Sequence, residues 1–306
     1  MEEISNKTLR RAKQSIRLEG FVRSHRLRIT NNEIYGKLFI YTDDNSQHPV
    51  DVYEPKYDAH DSWKAHVRPE FQTLQNLVDT LDVNRNCDVS VRLGRGSHLD
   101  VFAKYTDAGD LVERQIIKGK SIETGVAVSP QATFRTEVWV SSIAPLDDNR
   151  VVVSTWLPVA INTVVPFNFF AEDDVAAYML KTFKHGDTLT VNGKIVNETR
   201  TSERKQKGVG TTWADSVRIT TREYIITGCD FAPYDASESF DSKLVAAAIE
   251  NYRTVLLPKL KAKAGIRKNA PLNTPLDLSK EPVRTGRYTG AKRSDPPLVV
   301  LPKLSI

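Results

Sequence analysis

The sequence predicts a mostly β protein in which one small β-rich unit occurs twice. Residues 16–22 match residues 134–140, with Arg, Glu and an aromatic residue on alternate positions in both copies. A second similarity relates residues 115–122 to residues 224–231. Two similar opening strands and two similar closing strands indicate a duplicated unit.

The first unit is predicted to contain three strands, a helix and two further strands. Alternation is clearest at 33–41, where even positions are mostly apolar and most odd positions are aromatic or basic. Gly36 lies where this strand can bend sharply. A turn at Thr30-Asn31-Asn32 precedes it, and apolar residues at helical spacing follow Pro69. The expected elements are strands 17–23, 33–41 and 49–53, the helix from Pro69, and strands near 88–93 and 113–122.

The second unit repeats this order. Its expected elements are strands near 134–143, 150–157 and 164–170, a helix from 173 or 174 that stops at Gly186, and strands 188–196 and 218–229. A helix between the third and fourth of five strands is typical of the OB-fold, a small Greek-key barrel. The predicted fold class is therefore mostly β, with two tandem OB-fold barrels, each with a helix between strands three and four.

Beyond residue 233 the pattern changes. Apolar residues recur every four positions from Phe240 to Leu260 and predict an amphipathic helix that packs on a barrel and is kinked or ended by Pro258. From residue 264 Pro, Gly, Lys and Arg dominate without periodicity, which predicts disorder. The expected domains are an N-terminal extension (1–14), OB-fold domain 1 (15–124), a linker (125–132), OB-fold domain 2 (133–234), a C-terminal helix (235–263) and a basic, Pro-rich tail (264–306).

Composition predicts a soluble protein of the cytoplasm, that of the host cell if the protein is viral. The chain is 40% hydrophobic and 26% charged, without an apolar run of the ~20 residues that a membrane span needs. The N-terminus lacks the layout of a signal peptide. Cys87 and Cys229 fall in different predicted units without the spacing of a metal site. We expect no membrane association.

The net charge of +5 is distributed unevenly. From Lys259 onward, 11 basic residues face three acidic ones, which gives this part of the chain a charge of +8. Residues 1–258 therefore carry a net charge of −3, and a polyanion site there requires local clustering of cations. Residues 298–306 are apolar again and are expected to dock on the protein's own body or on a partner.

Rings and cations share the predicted outer strand faces. Aromatic rings stack on bases regardless of sequence, while Lys and Arg contact phosphates. Packing of such rings against a neighbouring domain is the alternative. The candidate residues on the first unit's strands are Arg17, Phe21, Arg23, Tyr35, Lys37, Phe39 and Tyr41, with Trp139 and Trp156 as their counterparts in the second unit.

Two predicted loops add further cations. The loop between strands one and two, L12, is expected to hold Arg23, Arg26 and Arg28, whereas its counterpart at 146–150 is more acidic. The loop between strands four and five, L45, is expected at 197–221 in the second unit and near Arg92 and Arg95 in the first. The candidates in and beside the second L45 segment are Lys194, Arg200, Arg204, Lys205, Lys207, Trp213 and Arg218.

Catalytic patterns are absent from the sequence. The six histidines are scattered, and none has a cysteine at metal-ligand spacing. There is no P-loop and no GxSxG motif, and Gly208-Val209-Gly210 does not lie between a strand and a helix of a βαβ unit. We therefore expect a protein that is not an enzyme and needs no cofactor or metal.

Two barrels, outer faces with rings and cations, and a basic L45 segment resemble bacteriophage single-stranded-DNA-binding proteins of the tandem OB type. The resemblance covers about residues 15–232 and rests on architecture. It implies protection of single-stranded DNA in viral replication and recombination, by contiguous and often cooperative coating. Many members end in an acidic tail that recruits replication enzymes, whereas this tail is basic and ends apolar. This basic tail could bind DNA, bridge to a neighbouring copy of the protein or contact replication proteins.

The hypothesis from sequence is non-catalytic binding of single-stranded DNA, largely without sequence preference. Two alternatives remain open at this stage. The barrels could form a protein-interaction or virion-assembly module, since OB-folds serve many functions. They could also bind RNA, which the 2′-hydroxyl distinguishes from DNA.

Overall fold

The computed structural model describes residues 8–60, 66–84, 87–105, 111–207, 212–259 and 262, with side chains described except at 103–105, 111–113, 199–207 and 212–221. The strands in these ranges are β1 (Gln14–Ile29), β2 (Glu33–Tyr41), β3 (Gln47–Pro55), β4 (Val89–Arg92), β5 (His98–Tyr105), β6 (Leu111–Gly119), β7 (Glu123–Thr124), β8 (Gln131–Pro145), β9 (Arg150–Ala160), β10 (Thr163–Glu172), β11 (Thr188–Lys207) and β12 (Thr212–Cys229). The α-helices are α1 (Pro69–Val83), α2 (Asp173–Thr182) and α3 (Ser242–Asn251), and a π-helical turn (Tyr252–Leu256) continues α3.

The second unit forms a closed five-stranded barrel. Its strands are hydrogen-bonded in the order β8-β9-β10-β12-β11, and β11 returns to pair with β8. The β10–β12 pair is parallel, as the Greek-key order requires, and α2 lies between the third strand and the fourth.

The first unit has the same connectivity. β1, β2, β3, β6 and β5 follow one another, the β3–β6 pair is parallel, and β4 pairs with β1. β4 and β5 together form the fourth strand, interrupted at 93–97. Helix α1 begins with Pro69, which suits a first helical turn, and buries Phe71, Leu74 and Leu77. The predicted fold class, two tandem OB-fold barrels, is confirmed, whereas the domain boundaries remain a prediction.

The two barrels share one continuous sheet. Residues 14–19 of β1 pair antiparallel with residues 131–136 of β8, so the opening strands of the two units lie side by side. The segment before β1 also packs on the second barrel. Leu9 is buried, its N–H donates to Asn162 Oδ1 at 2.7 Å, and the Ala12 N–H donates to the Pro158 carbonyl at 2.8 Å. The predicted N-terminal extension is therefore anchored over 8–13.

Each barrel also sends a hairpin onto the other. From the β5–β6 hairpin, Gln115 Nε2 donates to the Asn168 carbonyl in β10 at 2.8 Å. From the β11–β12 hairpin, Asn197 Nδ2 donates to the Gln47 carbonyl, and Glu198 forms a bridge with Ser46. These reciprocal contacts brace the seam between the barrels from both sides.

The C-terminal helix packs on the second barrel, as its sequence predicts. Phe240, Val245, Ala248 and Tyr252 are buried there. Pro258 does not end the helix, because helical residues continue to 259 after the π-helical turn. No helix in the described part of the chain is long and apolar enough to cross a membrane. The predicted disorder from 264 and the apolar residues 298–306 lie outside the described residues.

Candidate nucleic-acid interface

The outer surface of β1, β2 and β3 carries a set of rings and cations, here named the ring–cation face. Ile34, Leu38 and Ile40 of β2 are fully buried, so the residues between them point away from the barrel core. Antiparallel partners project to the same side of a sheet, which brings residues of all three strands together. The face consists of Arg26, Arg28, Tyr35, Lys37, Phe39, Tyr41 and Tyr53.

A β-bulge in β1 completes this face. The register between β1 and β2 shifts between Val22 and Ser24, which changes the outward positions of β1 from odd to even. After the bulge, Arg26 lies opposite Lys37 and Arg28 lies opposite Tyr35. The expectation that Arg23, Arg26 and Arg28 belong to loop L12 is therefore wrong, because β1 continues to Ile29 and only residues 30–32 form the turn.

Cations contact the rings of the face at short range. The Arg26 guanidinium lies 5.6 Å from the Phe39 ring centroid, and that of Arg23 lies 5.2 Å from Tyr41. Lys120 Nζ lies 5.9 Å from the ring of Tyr53, which is 51% exposed. The sequence candidates omitted Tyr53 and Lys120, although Tyr53 ends the predicted third strand.

Not every cation is free to meet a phosphate. Arg23 forms ion pairs with Asp88 at 2.8 Å and with Asp44 at 3.0 Å, and these carboxylates raise its pKa. Lys37 is paired with Asp51. In contrast, Arg26 and Arg28 have no carboxylate partner in the described part of the chain. Unpaired positive charge on the face therefore lies at Arg26 and Arg28.

The outward side of β1 leads from the ring–cation face to the seam. Phe21 is half-buried beside Tyr41, and Arg17 is exposed further along the strand. The sheet register then sets Arg17, Thr133 and Lys194 in one row across β1, β8 and β11.

The next row of the seam contains Ser15, Arg135 and Asn192. Arg135 and Lys194 are exposed and have no carboxylate partner within the described ranges. Sequence reasoning missed Arg135, although the repeat pairs it with Arg17. The repeat alone would therefore have been enough to include Arg135 among the candidates.

A cleft of about 490 Å³ opens on the first-barrel side of this seam and is lined by Arg17, Arg92 and Arg95. Glu19 lies buried at its base and accepts hydrogen bonds from Arg17 Nε at 2.6 Å, from Arg92 at 3.4 Å and from the Ser129 N–H at 3.2 Å. Hydrogen bonding to Arg17, opposed in part by burial, holds the pKa of Glu19 below its usual value.

The assignment of Arg92 and Arg95 to an L45 loop is wrong. Arg92 ends β4, and Arg95 lies in the 93–97 segment that interrupts the fourth strand. The true connection between strands four and five of the first unit, at 106–110, lies outside the described residues.

Among the described side chains of the second barrel, the two predicted tryptophans do not form an equivalent open face. Trp139 is only 5% exposed, and its ring packs edge-on against His185 with a centroid separation of 4.9 Å. The expected exposure of Trp139 is therefore contradicted. Trp156 is half-buried and contacts Tyr252, with ring centroids 5.7 Å apart, while the Arg253 guanidinium lies 5.9 Å from its ring. The C-terminal helix covers this ring, which was expected to be open.

The predicted L45 loop of the second unit is largely a long hairpin. β11 and β12 pair from Val191 opposite Cys229, shift register between Asn192 and Gly193, and then stay in register from Gly193 opposite Ile226 to Lys207 opposite Thr212. Arg204 lies opposite Asp215, and Lys205 lies opposite Ala214. The side chains of Arg200, Arg204, Lys205, Lys207, Trp213 and Arg218 lie outside the described residues, so their predicted contacts remain predictions.

The comparisons with known proteins give one family and several similar solved structures. The sequence model of a family described as YorF matches residues 13–263. No curated protein sequence matches the chain. The wild-type single-stranded DNA binding protein from Thermus aquaticus is similar in structure, with a TM-score of 0.47 and 12% identity over 76% of this chain and 98% of that chain. A deletion mutant of the Thermus aquaticus protein gives a TM-score of 0.44 and 12% identity over the same shares.

Proposed function

We propose that this chain, which belongs to the YorF family, binds single-stranded DNA largely without sequence preference and without catalysing a reaction. The observation that carries the proposal is the ring–cation face and its continuation along β1 to the seam. Rings and unpaired cations share that surface, and the outward side of one strand links them.

The chemistry of the surface suits an unpaired strand. Phe39, Tyr41 and Tyr53 present ring surface on which bases stack, at ~1–3 kcal/mol per base by alanine substitution. Arg26 and Arg28 lie beside these rings as phosphate contacts. The DNA then follows β1 towards Arg17, Arg135 and Lys194. A duplex keeps its bases stacked on each other, so it uses the cations and not the rings.

The proposed biological role is protection of single-stranded DNA during phage replication or recombination, in the cytoplasm of the host cell. The seam cations extend the first barrel's surface onto β8 and β11 of the second. We propose that the β11–β12 hairpin, with its six cation or tryptophan candidates, folds over the bound strand. Self-association along DNA and contacts with replication proteins belong to the same proposal.

The test uses a labelled oligothymidylate of about 35 nucleotides, longer than the ~4–16 nucleotides that one OB-fold covers. Fluorescence anisotropy should show binding that weakens with salt, with a log–log slope of about −0.7 per neutralised phosphate. Phe39→Ala should weaken binding roughly 5- to 150-fold, the equivalent of ~1–3 kcal/mol. Phe231→Ala is the matched control, because Phe231 is an exposed ring beside α2 of the second barrel and not on the ring–cation face, and it should bind like the wild type.

The same titration separates the alternatives. Equal affinity of Phe39→Ala and wild type would remove the ring–cation face from the proposal. Tighter binding of a matched RNA would favour an RNA-binding protein. Self-association without affinity for any nucleic acid would favour a protein-interaction module. The contact between Trp156 and Tyr252 shows that an outer ring of the second barrel packs against protein within this chain.

A further inference from the structure

Helix α2 and the end of β12 expose an apolar surface, here named the α2 surface. Phe231 is 92% exposed, more than any other large apolar side chain in the described residues, and Leu180 of α2 is 43% exposed. Tyr178 Oη donates to the Phe231 carbonyl at 2.6 Å, which fixes the backbone of Phe231 against α2. The apolar ring of Phe231 is therefore held in solvent by a tethered backbone, at the edge of α2.

A cleft of about 310 Å³ lies next to this ring. Val175, Tyr178, Cys229 and Phe231 line it, and Asp174 is its charged residue. The lining is mostly apolar, so the cleft suits an aliphatic side chain and not a phosphate or a base.

Acidic residues lie on one side of the apolar cleft, where Asp174 also lines a second cleft. Asp147, Asp148, Asp173 and Asp174 are exposed and, together with Leu180 and Arg150, line a neighbouring cleft of about 600 Å³. Arg150 is already paired with Glu172 and Glu223. None of the four aspartates forms an ion pair within the described part of the chain. The fitting occupant is therefore apolar and positively charged.

One segment of this chain outside the described residues has that chemistry. Residues 298–306 read Leu-Val-Val-Leu-Pro-Lys-Leu-Ser-Ile, with six aliphatic side chains, one lysine and no acidic side chain. Lys292 and Arg293 precede it. By contrast, residues 1–7 carry two glutamates, and 106–110 carry two aspartates.

We infer that residues 298–306 dock on the α2 surface of their own chain, with aliphatic side chains in the cleft beside Phe231 and the basic residues facing the aspartates. Residues 263–297 form a connection of 35 residues. A connection of that length spans up to about 120 Å when fully extended, which is enough to reach the α2 surface from residue 262. The covalent connection favours the segment of the same chain over that of a neighbouring copy in micromolar solution.

Cys229 makes the docking measurable in the intact chain. Ser305→Cys places a thiol in the segment, and mild oxidation should join it to Cys229, which lines the cleft. The pKa of Cys229 is raised by burial and by Asp230, so the reaction is run at alkaline pH. Mass spectrometry of the digested monomer should show the 229–305 disulfide forming at least tenfold faster than an 87–305 disulfide, because Cys87 lies on the first barrel.

Two further variants make the outcome decisive. Phe231→Ala and Asp174→Lys should each slow the 229–305 cross-link severalfold, while Lys181→Gln, on the same helix, should not. Equal rates at Cys87 and Cys229, or a disulfide found only in dimers, would overturn the inference. Affinity for oligothymidylate is measured in parallel and should be unchanged in Phe231→Ala, so failure of docking and failure of DNA binding are distinguishable.

Discussion

The carboxylates of Glu19 and Glu137 occupy matching positions in the two opening strands, and both are buried beneath cations. Glu19 accepts a hydrogen bond from the N–H of Ser129, which precedes the second barrel. Glu137 accepts one from the N–H of Lys13, which precedes the first, at 2.8 Å. Each barrel therefore holds the lead-in segment of the other through a buried carboxylate, which gives a physical reason for the repeated glutamate.

The pH dependence of stability in a Glu19→Gln variant tests whether the charge of Glu19 holds the second barrel's lead-in segment. The pKa of Glu19 is lower in the folded protein than the ~4.3 of an unfolded chain, so ionised Glu19 stabilises the fold above that pH. The contribution is lost as pH falls through the lower, folded value. At pH 7, Glu19→Gln should reduce the free energy of unfolding by ~1–3 kcal/mol, and the difference from wild type should close in acid.

Urea denaturation between pH 3 and pH 7 measures the difference for Glu19→Gln. Glu123→Gln is the control, because Glu123 is exposed and meets Arg92 only at 3.5 Å. Its effect should stay within about 0.5 kcal/mol at every pH. A Glu19→Gln difference that does not depend on pH would contradict the assigned role of the charge.

At the scale of elements, Gly36 allows the backbone of β2 to approach that of β1 closely. Its φ is +135°, and a Cβ added there would lie 2.1 Å from the Arg26 carbonyl oxygen. The close approach sets Arg26 and Lys37 side by side on the ring–cation face.

Gly36→Ala should therefore destabilise the protein by more than about 3 kcal/mol, since backbone strain and a clash with a main-chain oxygen combine. Gly125→Ala is the matched control. Gly125 also has a positive φ, +68°, but a Cβ there would have no neighbour within 4 Å, so only strain of about 1–2 kcal/mol is expected. Equal losses in urea denaturation would show that the close approach at Gly36 does not matter.

Elements that bury one face in a barrel core could be predicted from the sequence, whereas elements without one regular buried face could not. The alternation at 33–41 and the helical spacing after Pro69 gave β2 and α1 their observed starts, because each buries one face in a barrel core. The bulge after Val22 interrupts the alternation of β1, so its second half read as a loop. The segment 197–221 is mostly polar, and periodicity does not separate a hairpin of that composition from a loop.

The aromatic rings of the candidate site also divide into those whose exposure could be predicted from the sequence and those whose exposure could not. Tyr35, Phe39 and Tyr41 follow from alternation alone, because they share a strand with the buried Leu38. Burial of Trp139 depends on His185, 46 positions away, and coverage of Trp156 depends on Tyr252. No local pattern contains such long-range contacts, so exposure of these two rings was not predictable.

At the scale of the whole molecule, the barrels are joined in ways that oppose separate unfolding. Six residue pairs link β1 with β8, the buried carboxylates brace both lead-in segments, and each barrel's hairpin contacts the other barrel. Breaking one barrel removes backbone partners from the other. A pair of independent domains on a flexible linker would lack these contacts.

We therefore expect the two barrels to unfold as one cooperative unit. Hydrogen exchange followed by mass spectrometry, at increasing urea below the midpoint, should give the same free energy of opening for β2–β3 peptides and β9–β10 peptides. Glu19→Gln should lower both values together, because its carboxylate joins the barrels, whereas Glu123→Gln should leave both unchanged. Two separate transitions, or a loss confined to the first barrel, would mean that the shared sheet and the buried carboxylates do not couple the barrels energetically.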